Sequence, residues 1–229
     1  MTRAIIMAQG KGSRWTTSHR HHMDILATHK QLLPVGDETV ISRTIRQLKE
    51  LGISDVWVIA GSDIFDQIGD VGCYSLREPT GSIIQGIIGI RHLWMNEPDV
   101  LFVLGDVLFS NAMMKTIATH KKSAFFGREG GNVVTGKESK EIFALRLVGN
   151  ADHSNKFYGK LIVLNTETSM PIKLKLWDLY HYLFSQGFMG LISLIANDYT
   201  DDTDTPEEYL RFFHLLQASA ISDDEKYRE

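Results

Sequence analysis

Near its N-terminus the chain reads AIIMAQGKGSR over residues 4–14, an apolar run followed at once by a basic, glycine-containing loop. The first four of these residues are typical of a short buried parallel strand, because they are continuously apolar and a glycine soon follows. Gly10 and Gly12 allow the backbone to approach a ligand closely, and successive N–H groups can form an anion-binding concavity there. Lys11 and Arg14 add positive charge. The segment therefore predicts a strand that delivers a polyphosphate-binding loop.

Apolar residues recur along the rest of the chain in two periodicities, one typical of strands and one typical of helices. The strand-like segments are Ala4–Met7, Asp55–Ala60, Val100–Leu104, Ala124–Phe126, Ile142–Val148, Lys160–Leu164 and Leu191–Ile195. The helix-like segments are Thr39–Leu51, Gly81–Trp94, Asn111–His120, Leu174–Phe184 and a last helix that begins near Pro206. This alternation predicts right-handed βαβ units and a mainly parallel sheet with helices on both faces. Ligands of such sheets bind outside the carboxyl ends of the strands, so the loops after the strands are the candidate sites.

The composition is that of an ordinary globular protein. The chain has 229 residues, 43% hydrophobic and 23% charged, with a formal net charge of −4. These values exclude disordered, collagen-like and coiled-coil chains, and so mild a charge gives no indication of nucleic-acid or membrane binding. The single cysteine, Cys73, excludes an internal disulfide framework and fits a reducing compartment. No apolar run approaches the roughly 20 residues of a membrane-spanning helix, and no signal-peptide core is present, so we expect a cytoplasmic protein.

Two familiar phosphate-binding motifs do not fit. A dinucleotide-binding fingerprint needs a third glycine where this chain has Trp15. A P-loop pattern at residues 131–137 is followed by Glu138 instead of the Ser or Thr that would contact magnesium. We interpret the second match as coincidental.

A series of motifs in a fixed order is more specific than the first loop alone. After AQGKGSR come KQLLPV at residues 30–35, EPTGSIIQG at residues 78–86, LGD at residues 104–106 and DTDTPEE at residues 202–208. Together they resemble the nucleotidyltransferase superfamily, which includes sugar-1-phosphate nucleotidyltransferases, phosphocholine cytidylyltransferases and MobA-like NTP transferases of molybdopterin metabolism.

The resemblance implies a three-layer α/β/α, Rossmann-like fold of the GT-A type, with a mixed, mainly parallel sheet. It implies catalytic roles for Arg14, Lys30 and Asp106, the first two of which would neutralise the triphosphate. Further nucleotide contacts would come from Ala8, Gln9, Gly10, Lys11, Gly12, Ser13, Gly81 and Gln85. Mg²⁺ would be bound by Asp106, Asp204 and Asp202.

The implied reaction joins a nucleoside triphosphate to a phosphorylated small-molecule acceptor, such as a sugar 1-phosphate, and releases pyrophosphate. The acceptor phosphate is already a nucleophile at neutral pH, so alignment, charge neutralisation and a metal suffice without a general base. We predict one domain over residues 1–229. Its first half, residues 1–126, would bind the nucleotide, and residues 127–229 would bind the acceptor and supply the C-terminal metal ligands.

The acceptor side is less defined by the sequence. By position alone, Gly127–Gly136, Lys137–Ala144 and Asn155–Lys160 could build the acceptor pocket, with candidate contacts from Arg128, Lys137, Glu141 and Lys160. Phe143–Val148 and Lys160–Leu164 could pair in a homodimer or complete the sheet.

Several alternatives stay open at this point. Gln9 stands where the superfamily usually has a small residue, and the histidines of His19–His22 could bind a metal, form a lid or be solvated. Thr205–Glu208 also fits a capping box that would simply begin a helix. A GT-A glycosyltransferase that uses a nucleotide sugar, or a non-catalytic nucleotide-binding module, are the competing functions.

Overall fold

The computed structural model describes residues 1–10, 29–60, 64, 68, 71–76, 82–132, 134, 136, 140–167, 174–188, 192–196, 198–202 and 204–226. Within these residues the chain forms strands and helices in alternation, as the apolar periodicity predicts. The part of the predicted polyphosphate-binding loop that follows residue 10 and the histidine segment His19–His22 lie outside the described residues.

A seven-stranded sheet forms the centre of the fold. Its strands are β1 (Arg3–Met7), β4 (Asp55–Ile59), β5 (Gly72–Tyr74), β6 (Asp99–Leu104), β8 (Ala124–Arg128), β9 (Glu141–Val148) and β10 (Ile192–Ile195), and they lie in the order β10-β8-β9-β6-β1-β4-β5. Strand β9 is antiparallel to both of its neighbours, β6 and β8, whereas the other pairs are parallel. The mixed, mainly parallel sheet is therefore confirmed. Because β9 runs in reverse, its first residue lies at the edge where the parallel strands end.

Helices cover both faces of this sheet and make the fold three-layered. They are α1 (Val40–Glu50), α2 (Ile83–Gly89), α3 (Arg91–Trp94), α4 (Asn111–Thr119), α5 (Ala151–Glu167), α6 (Leu176–Ser185) and α7 (Pro206–Lys226). Alternate residues of β1 enter different cores, because successive side chains of a strand point to opposite faces. Ile6 packs with residues of α1 and α4, whereas Ile5 packs with residues of α2, α3, α5 and α6.

Two short ladders lie beside the main sheet. Strands β2 (Pro34–Val35) and β3 (Glu38–Thr39) form one antiparallel pair, and β7 (Val107–Leu108) and β11 (Asp201–Asp202) form the other. A third apolar cluster, centred on Leu33, Leu108 and Phe212, packs α7 against both ladders. The C-terminal helix is thereby fixed to the segment that carries Lys30.

One predicted strand is wrong. Lys160–Leu164 lies inside helix α5, and no part of it joins the sheet. Its apolar run hides a helical spacing: Phe157, Leu161 and Leu164 are buried, whereas Val163 is 40% exposed. The run could therefore not pair with Phe143–Val148, which forms most of β9 and is hydrogen-bonded on both sides within the sheet.

A smaller difference concerns the boundaries of one helix. The predicted helix Gly81–Trp94 is divided into α2 and α3 at Ile90, whose backbone leaves the helical region (φ −100°, ψ 18°). Glycines at residues 86 and 89 lower the helix propensity of this stretch. None of the helices in the described ranges combines the length and apolar character that crossing a membrane requires.

Candidate functional site

A cleft of about 370 Å³ opens at the edge of the sheet where β1 and β6 end and β9 begins. This is the edge at which parallel sheets bind ligands. The cleft is lined by Met7, Gln9, Gly10, Lys30, Gln31, Ser82, Ile83, Leu104, Asp106, Lys140, Glu141, Ile142, Leu174, Lys175, Leu176, Trp177, Asp202 and Asp204. Predicted triphosphate-binding, metal-binding and nucleotide-binding residues are therefore brought to one place from four distant parts of the chain.

Lys30 lies at the centre of the charged part of this cleft. It begins a single 3₁₀ turn, Lys30–Leu32, and is only 8% exposed. Its Nζ donates to Asp204 Oδ1 at 2.7 Å and to Asp106 Oδ2 at 3.1 Å. A buried ammonium group requires such anionic partners, because burial disfavours an uncompensated charge. The structure thus places three of the predicted site residues in direct contact.

The end of β6 approaches the end of β1 closely at Gly105. Its backbone N–H donates to Met7 O at 3.0 Å. A Cβ atom at this position would lie 2.9 Å from Ala8 Cβ, which is closer than real side chains pack. Glycine is needed here, and the close approach sets Asp106 beside the loop that follows β1.

The β7–β11 ladder brings the second acidic segment to Asp106. Asp202 is paired with Val107, and Asp201 with Leu108. Since Asp106 immediately precedes Val107, the ladder fixes the two predicted metal-binding segments next to each other through backbone hydrogen bonds. Sequence patterns alone did not reveal this ladder, because two-residue strands have no periodicity.

Three carboxylates in the cleft form a cluster that could hold a metal ion. Ligand oxygens of Glu141, Asp202 and Asp204 all lie within 4.8 Å of one another. Asp202 and Asp204 are 8% and 7% exposed. Both aspartates were predicted metal ligands, whereas Glu141 was a candidate only for the acceptor pocket. Glu141 reaches the cluster because it is the first residue of the reversed strand β9.

The capping box predicted at residues 205–208 is confirmed. Glu208 Oε2 accepts from the backbone N–H groups of Asp204 at 2.7 Å and Thr205 at 3.0 Å, and Thr205 Oγ1 accepts from the N–H of Glu208 at 3.3 Å. The box starts α7 and also fixes the backbone of Asp204. The helix-capping and the site interpretations of this motif are therefore compatible.

Two glutamines and a serine also line the cleft. Gln9 Nε2 donates to Ser82 O at 3.3 Å. The Gln9 amide lies against Gly86, where a Cβ would be only 2.0 Å from Nε2. Gln31 is 2% exposed, and within the described part of the chain its Oε1 has no hydrogen-bond partner. Gln31 was not predicted as a site residue, although it directly follows Lys30 in KQLLPV.

The remaining predicted nucleotide contacts divide into three groups. Gly10 lines the cleft, and Ala8 is buried beside it, with its N–H donating to Ile59 O at 2.8 Å. Gln85 is exposed on α2, so the residues of this segment that line the cleft are Ser82 and Ile83. Lys11, Gly12, Ser13, Arg14 and Gly81 lie outside the described residues.

Only some of the candidate acceptor residues lie in the cleft. Lys140 and Glu141 line the cleft, as do Lys175 and Trp177 at the start of α6, which the sequence analysis did not name. Lys160 lies instead on α5, where its Nζ donates to Gln186 Oε1 at 3.2 Å. Arg128 is also absent from the cleft wall because it is buried in an ion pair with Asp201. Lys137 lies outside the described residues.

Comparison with known proteins agrees with the resemblance found in the sequence motifs. The family model described as "MobA-like NTP transferase domain" matches residues 4–146 of the chain. This range includes β1, Lys30, Asp106 and Glu141. A search of curated proteins gives no match.

Three solved structures with a similar fold are described as nucleotidyltransferases. A putative glucose-1-phosphate thymidylyltransferase from Bacillus anthracis is 18% identical, with a TM-score of 0.66 over 94% of this chain and 95% of its own. The CTP:phosphocholine cytidylyltransferase from Streptococcus pneumoniae is 18% identical, with a TM-score of 0.61 over 94% and 99% of the two chains. A nucleotidyl transferase from Methanothermobacter thermautotrophicus is 18% identical, with a TM-score of 0.67 over 96% and 99%. At this identity the likeness establishes the fold alone.

Proposed function

This chain belongs to the family of MobA-like NTP transferase domains, and we propose that it is a Mg²⁺-dependent nucleotidyltransferase. It transfers a nucleoside monophosphate from a nucleoside triphosphate to a phosphorylated small-molecule acceptor and releases pyrophosphate. A sugar 1-phosphate or a metabolite of similar chemistry is the acceptor, which assigns the enzyme to nucleotide-sugar biosynthesis or a related route.

One observation carries this proposal: a buried lysine faces two carboxylates at the ligand-binding edge of the sheet. Lys30 Nζ lies 2.7 Å from Asp204 and 3.1 Å from Asp106. Phosphoryl-transfer sites need cationic groups for the charge of the phosphates and carboxylates for the metal that accompanies them. Both groups are present here, and they come from three segments that lie far apart in the sequence.

The carboxylates fit Mg²⁺ in chemistry and in spacing. Mg²⁺ prefers oxygen ligands at about 2.0–2.1 Å and takes one or two carboxylates together with phosphate oxygens and water. Asp202, Asp204 and Glu141 have ligand oxygens within 4.8 Å of one another and would hold it. Asp106, which shares the Lys30 ammonium group with Asp204 but is not part of this cluster, would contribute a further carboxylate. When bound, Mg²⁺ would neutralise charge on the triphosphate.

Lys30 would act on the departing phosphates. An oxygen of the acceptor phosphate forms a bond to the α-phosphorus, and the bond from that phosphorus to the oxygen leading to the β-phosphorus breaks. The electron pair of that bond leaves with pyrophosphate. Lys30, together with Arg14, stabilises the charge that accumulates on this leaving group. No side chain needs to remove a proton, because the acceptor phosphate is anionic at neutral pH.

The apolar and amide-bearing side of the cleft would receive the nucleoside. Ile83 and Leu104 provide apolar surface, and Gln9 and Gln31 provide amide groups. Amide groups can hydrogen-bond to the edge of a base, and the apolar side chains can pack against its face. These residues support a nucleoside ligand without fixing which base it carries.

The acceptor would bind along the wall formed by Lys140, Lys175 and Trp177. These residues belong to the second half of the chain, as the predicted division at residue 127 requires. The two ammonium groups suit the acceptor phosphate, and the indole ring offers a flat face to the rest of the molecule.

Pyrophosphate release tests the proposal. The protein is incubated with each of the four ribonucleoside triphosphates and with dTTP, with Mg²⁺ and with a panel of sugar 1-phosphates and phosphocholine. We expect pyrophosphate release that depends on one nucleotide, one acceptor and Mg²⁺. If no combination releases pyrophosphate above the background without protein, the proposal is wrong.

A substitution distinguishes this enzyme from the two competing functions. Asp106→Asn should abolish most pyrophosphate release, whereas Asp152→Asn, which removes an exposed carboxylate on α5, should leave it unchanged. A glycosyltransferase would instead release a nucleoside diphosphate from a nucleotide sugar. Retention of full activity by Asp106→Asn would favour a site elsewhere in the molecule.

A further inference from the structure

A buried ion pair lies immediately behind the acidic segment of the cleft. Arg128 Nη2 donates to Asp201 Oδ1 at 3.0 Å. Their side chains are 3% and 0% exposed. Arg128 ends strand β8, and its Nη1 also donates to Gly130 O, so the guanidinium group is held on two sides.

The same carboxylate oxygen of Asp201 has a second role. Besides Arg128, Asp201 Oδ1 accepts from the backbone N–H of Asp202 at 3.0 Å. Asp202 is a member of the carboxylate cluster and follows Asp201 in strand β11. A chain of contacts thus runs from the guanidinium group through Asp201 to the peptide that carries the Asp202 side chain.

Other contacts also hold this segment: Asp201 and Asp202 pair with strand β7, and further hydrogen bonds reach its N-terminal end. Ser110 Oγ donates to Asp198, and the backbone N–H of Ser110 donates to Thr200 Oγ1 at 3.0 Å. Asn132 Nδ2 reaches Thr200 O at 3.4 Å. Between Thr200 and the cleft, Arg128 supplies the cationic partner of a carboxylate that is fully buried.

We propose that Arg128 is a positioning residue of the metal centre, which acts through Asp201 to set the orientation of Asp202. This inference rests on the proposed function, because it takes the carboxylate cluster to be the Mg²⁺ site. A residue that supports a metal ligand typically changes metal affinity by 10- to 100-fold when it is replaced.

The charge of Arg128 and its positioning role predict opposite effects on cation affinity when Arg128 is replaced. This difference makes the proposal testable. Removal of a buried positive charge leaves the cleft more negative, so electrostatics alone predicts tighter binding of a divalent cation. Loss of the correct Asp202 orientation predicts weaker binding. The sign of the change in cation affinity therefore separates the two effects.

A second buried arginine provides a matched control. Arg146 is 1% exposed, and its Nε donates to Asp99 Oδ1 at 2.8 Å. Asp99 is the first residue of β6, at the edge of the sheet opposite the cleft. Arg146→Met therefore breaks a comparable ion pair and is expected to lower stability without touching the carboxylate cluster.

Mn²⁺ binding to the full chain is measured by the electron paramagnetic resonance signal of the free ion, at a temperature where thermal melts show each variant folded. We expect Arg128→Met to raise the Mn²⁺ dissociation constant at least tenfold, and Arg146→Met to leave it unchanged. An unchanged or lower dissociation constant for Arg128→Met overturns the proposal. Absence of Mn²⁺ binding by the wild-type protein would instead overturn its premise, the metal site of the proposed function.

Arg128→Lys decides the case if Arg128→Met does not fold. It keeps the charge that Asp201 requires, but one ammonium group cannot reproduce the paired contacts to Asp201 and Gly130. We expect the dissociation constant for Mn²⁺ to rise at least threefold with little change in melting temperature. A value equal to that of the wild-type protein would show that the arginine serves only to compensate a buried charge.

Discussion

Lys30 illustrates how a single side chain connects the two charged parts of the cleft. It contacts both Asp106 and Asp204, although these residues lie 76 and 174 positions away in the sequence. We expect Lys30→Met to lower kcat for pyrophosphate release by about 10²–10³, as is typical when one stabiliser of transition-state charge is removed. Steady-state kinetics checks this, with Lys115→Met, an exposed lysine of α4, as the control. Equal kcat values for the two variants would contradict the assigned role.

Gln9 and Gly86 are in close contact, and a substitution here should affect nucleotide binding without lowering stability. A methyl group at Gly86 would occupy the space of the Gln9 amide, which then has to turn into the cleft. We expect Gly86→Ala to raise KM for the nucleotide roughly tenfold, about 1.4 kcal/mol of binding. Its melting temperature should not fall, because alanine favours the helix over glycine.

The double variant Gly86→Ala/Gln9→Ala provides the control for this prediction. It removes the side chain that is pushed into the cleft, so KM should return toward the value of Gln9→Ala alone. A double variant with KM as high as that of Gly86→Ala would show that the effect arises from the helix backbone instead.

At the scale of single elements, helix α5 offers a test of the corrected assignment of Lys160–Leu164. In a strand, residues 161 and 163 would face the same side, whereas in the helix Leu161 is buried and Val163 is 40% exposed. We expect Leu161→Ala to lower the free energy of unfolding by about 2–5 kcal/mol. Val163→Ala should change it by less than about 0.5 kcal/mol. Urea denaturation measures both, and equal losses would contradict the helix.

The attachment of α7 to the Lys30 segment depends in part on Tyr209. Its hydroxyl donates to Pro34 O at 2.7 Å, and burial raises the pKa of this phenol. Tyr209→Phe should lower the free energy of unfolding at neutral pH by about 0.5–1.5 kcal/mol, the contribution of one hydrogen bond.

The pH dependence of stability gives a second measure of the same contact. Above about pH 10 the unfolded chain releases the Tyr209 proton while the folded chain retains it, so unfolding becomes more favourable as pH rises. The wild-type protein should therefore lose more stability than Tyr209→Phe between pH 8 and pH 10.5. Parallel pH profiles in urea denaturation would show that the phenol is not held in its neutral form by the fold.

At the scale of the whole molecule, the central sheet was predictable where strands are buried on both faces. The strands β1, β4 and β6 are continuous apolar runs, and each lies within one or two residues of its predicted range. The short strands β5, β7 and β11 were not predicted, because a segment of two or three residues shows no periodicity. Lys160–Leu164 was assigned to a strand because almost all of its residues are apolar. Its helical spacing is recognisable only when the buried Phe157 is included.

The site was predictable to the extent that it follows from local motifs. Lys30, Asp106, Asp202 and Asp204 were named from the sequence, and the fold brings them together at one sheet edge. Glu141 was not recognised as a possible metal ligand, because its position depends on the reversed direction of β9. Lys175 and Trp177 were not predicted as site residues, because the sequence at the start of a helix does not indicate which cleft it faces.

We propose that this cleft binds a nucleoside triphosphate with Mg²⁺ through Lys30. The most direct test is the thermal stability of the wild-type protein and Lys30→Met, titrated with each nucleoside triphosphate and Mg²⁺. At 100 times its dissociation constant, a bound triphosphate should add about 2.7 kcal/mol to the free energy of unfolding of the wild-type protein. The gain should be much smaller for the matching monophosphate and for Lys30→Met. No stabilisation by any triphosphate, or equal stabilisation of the variant, would contradict the claim.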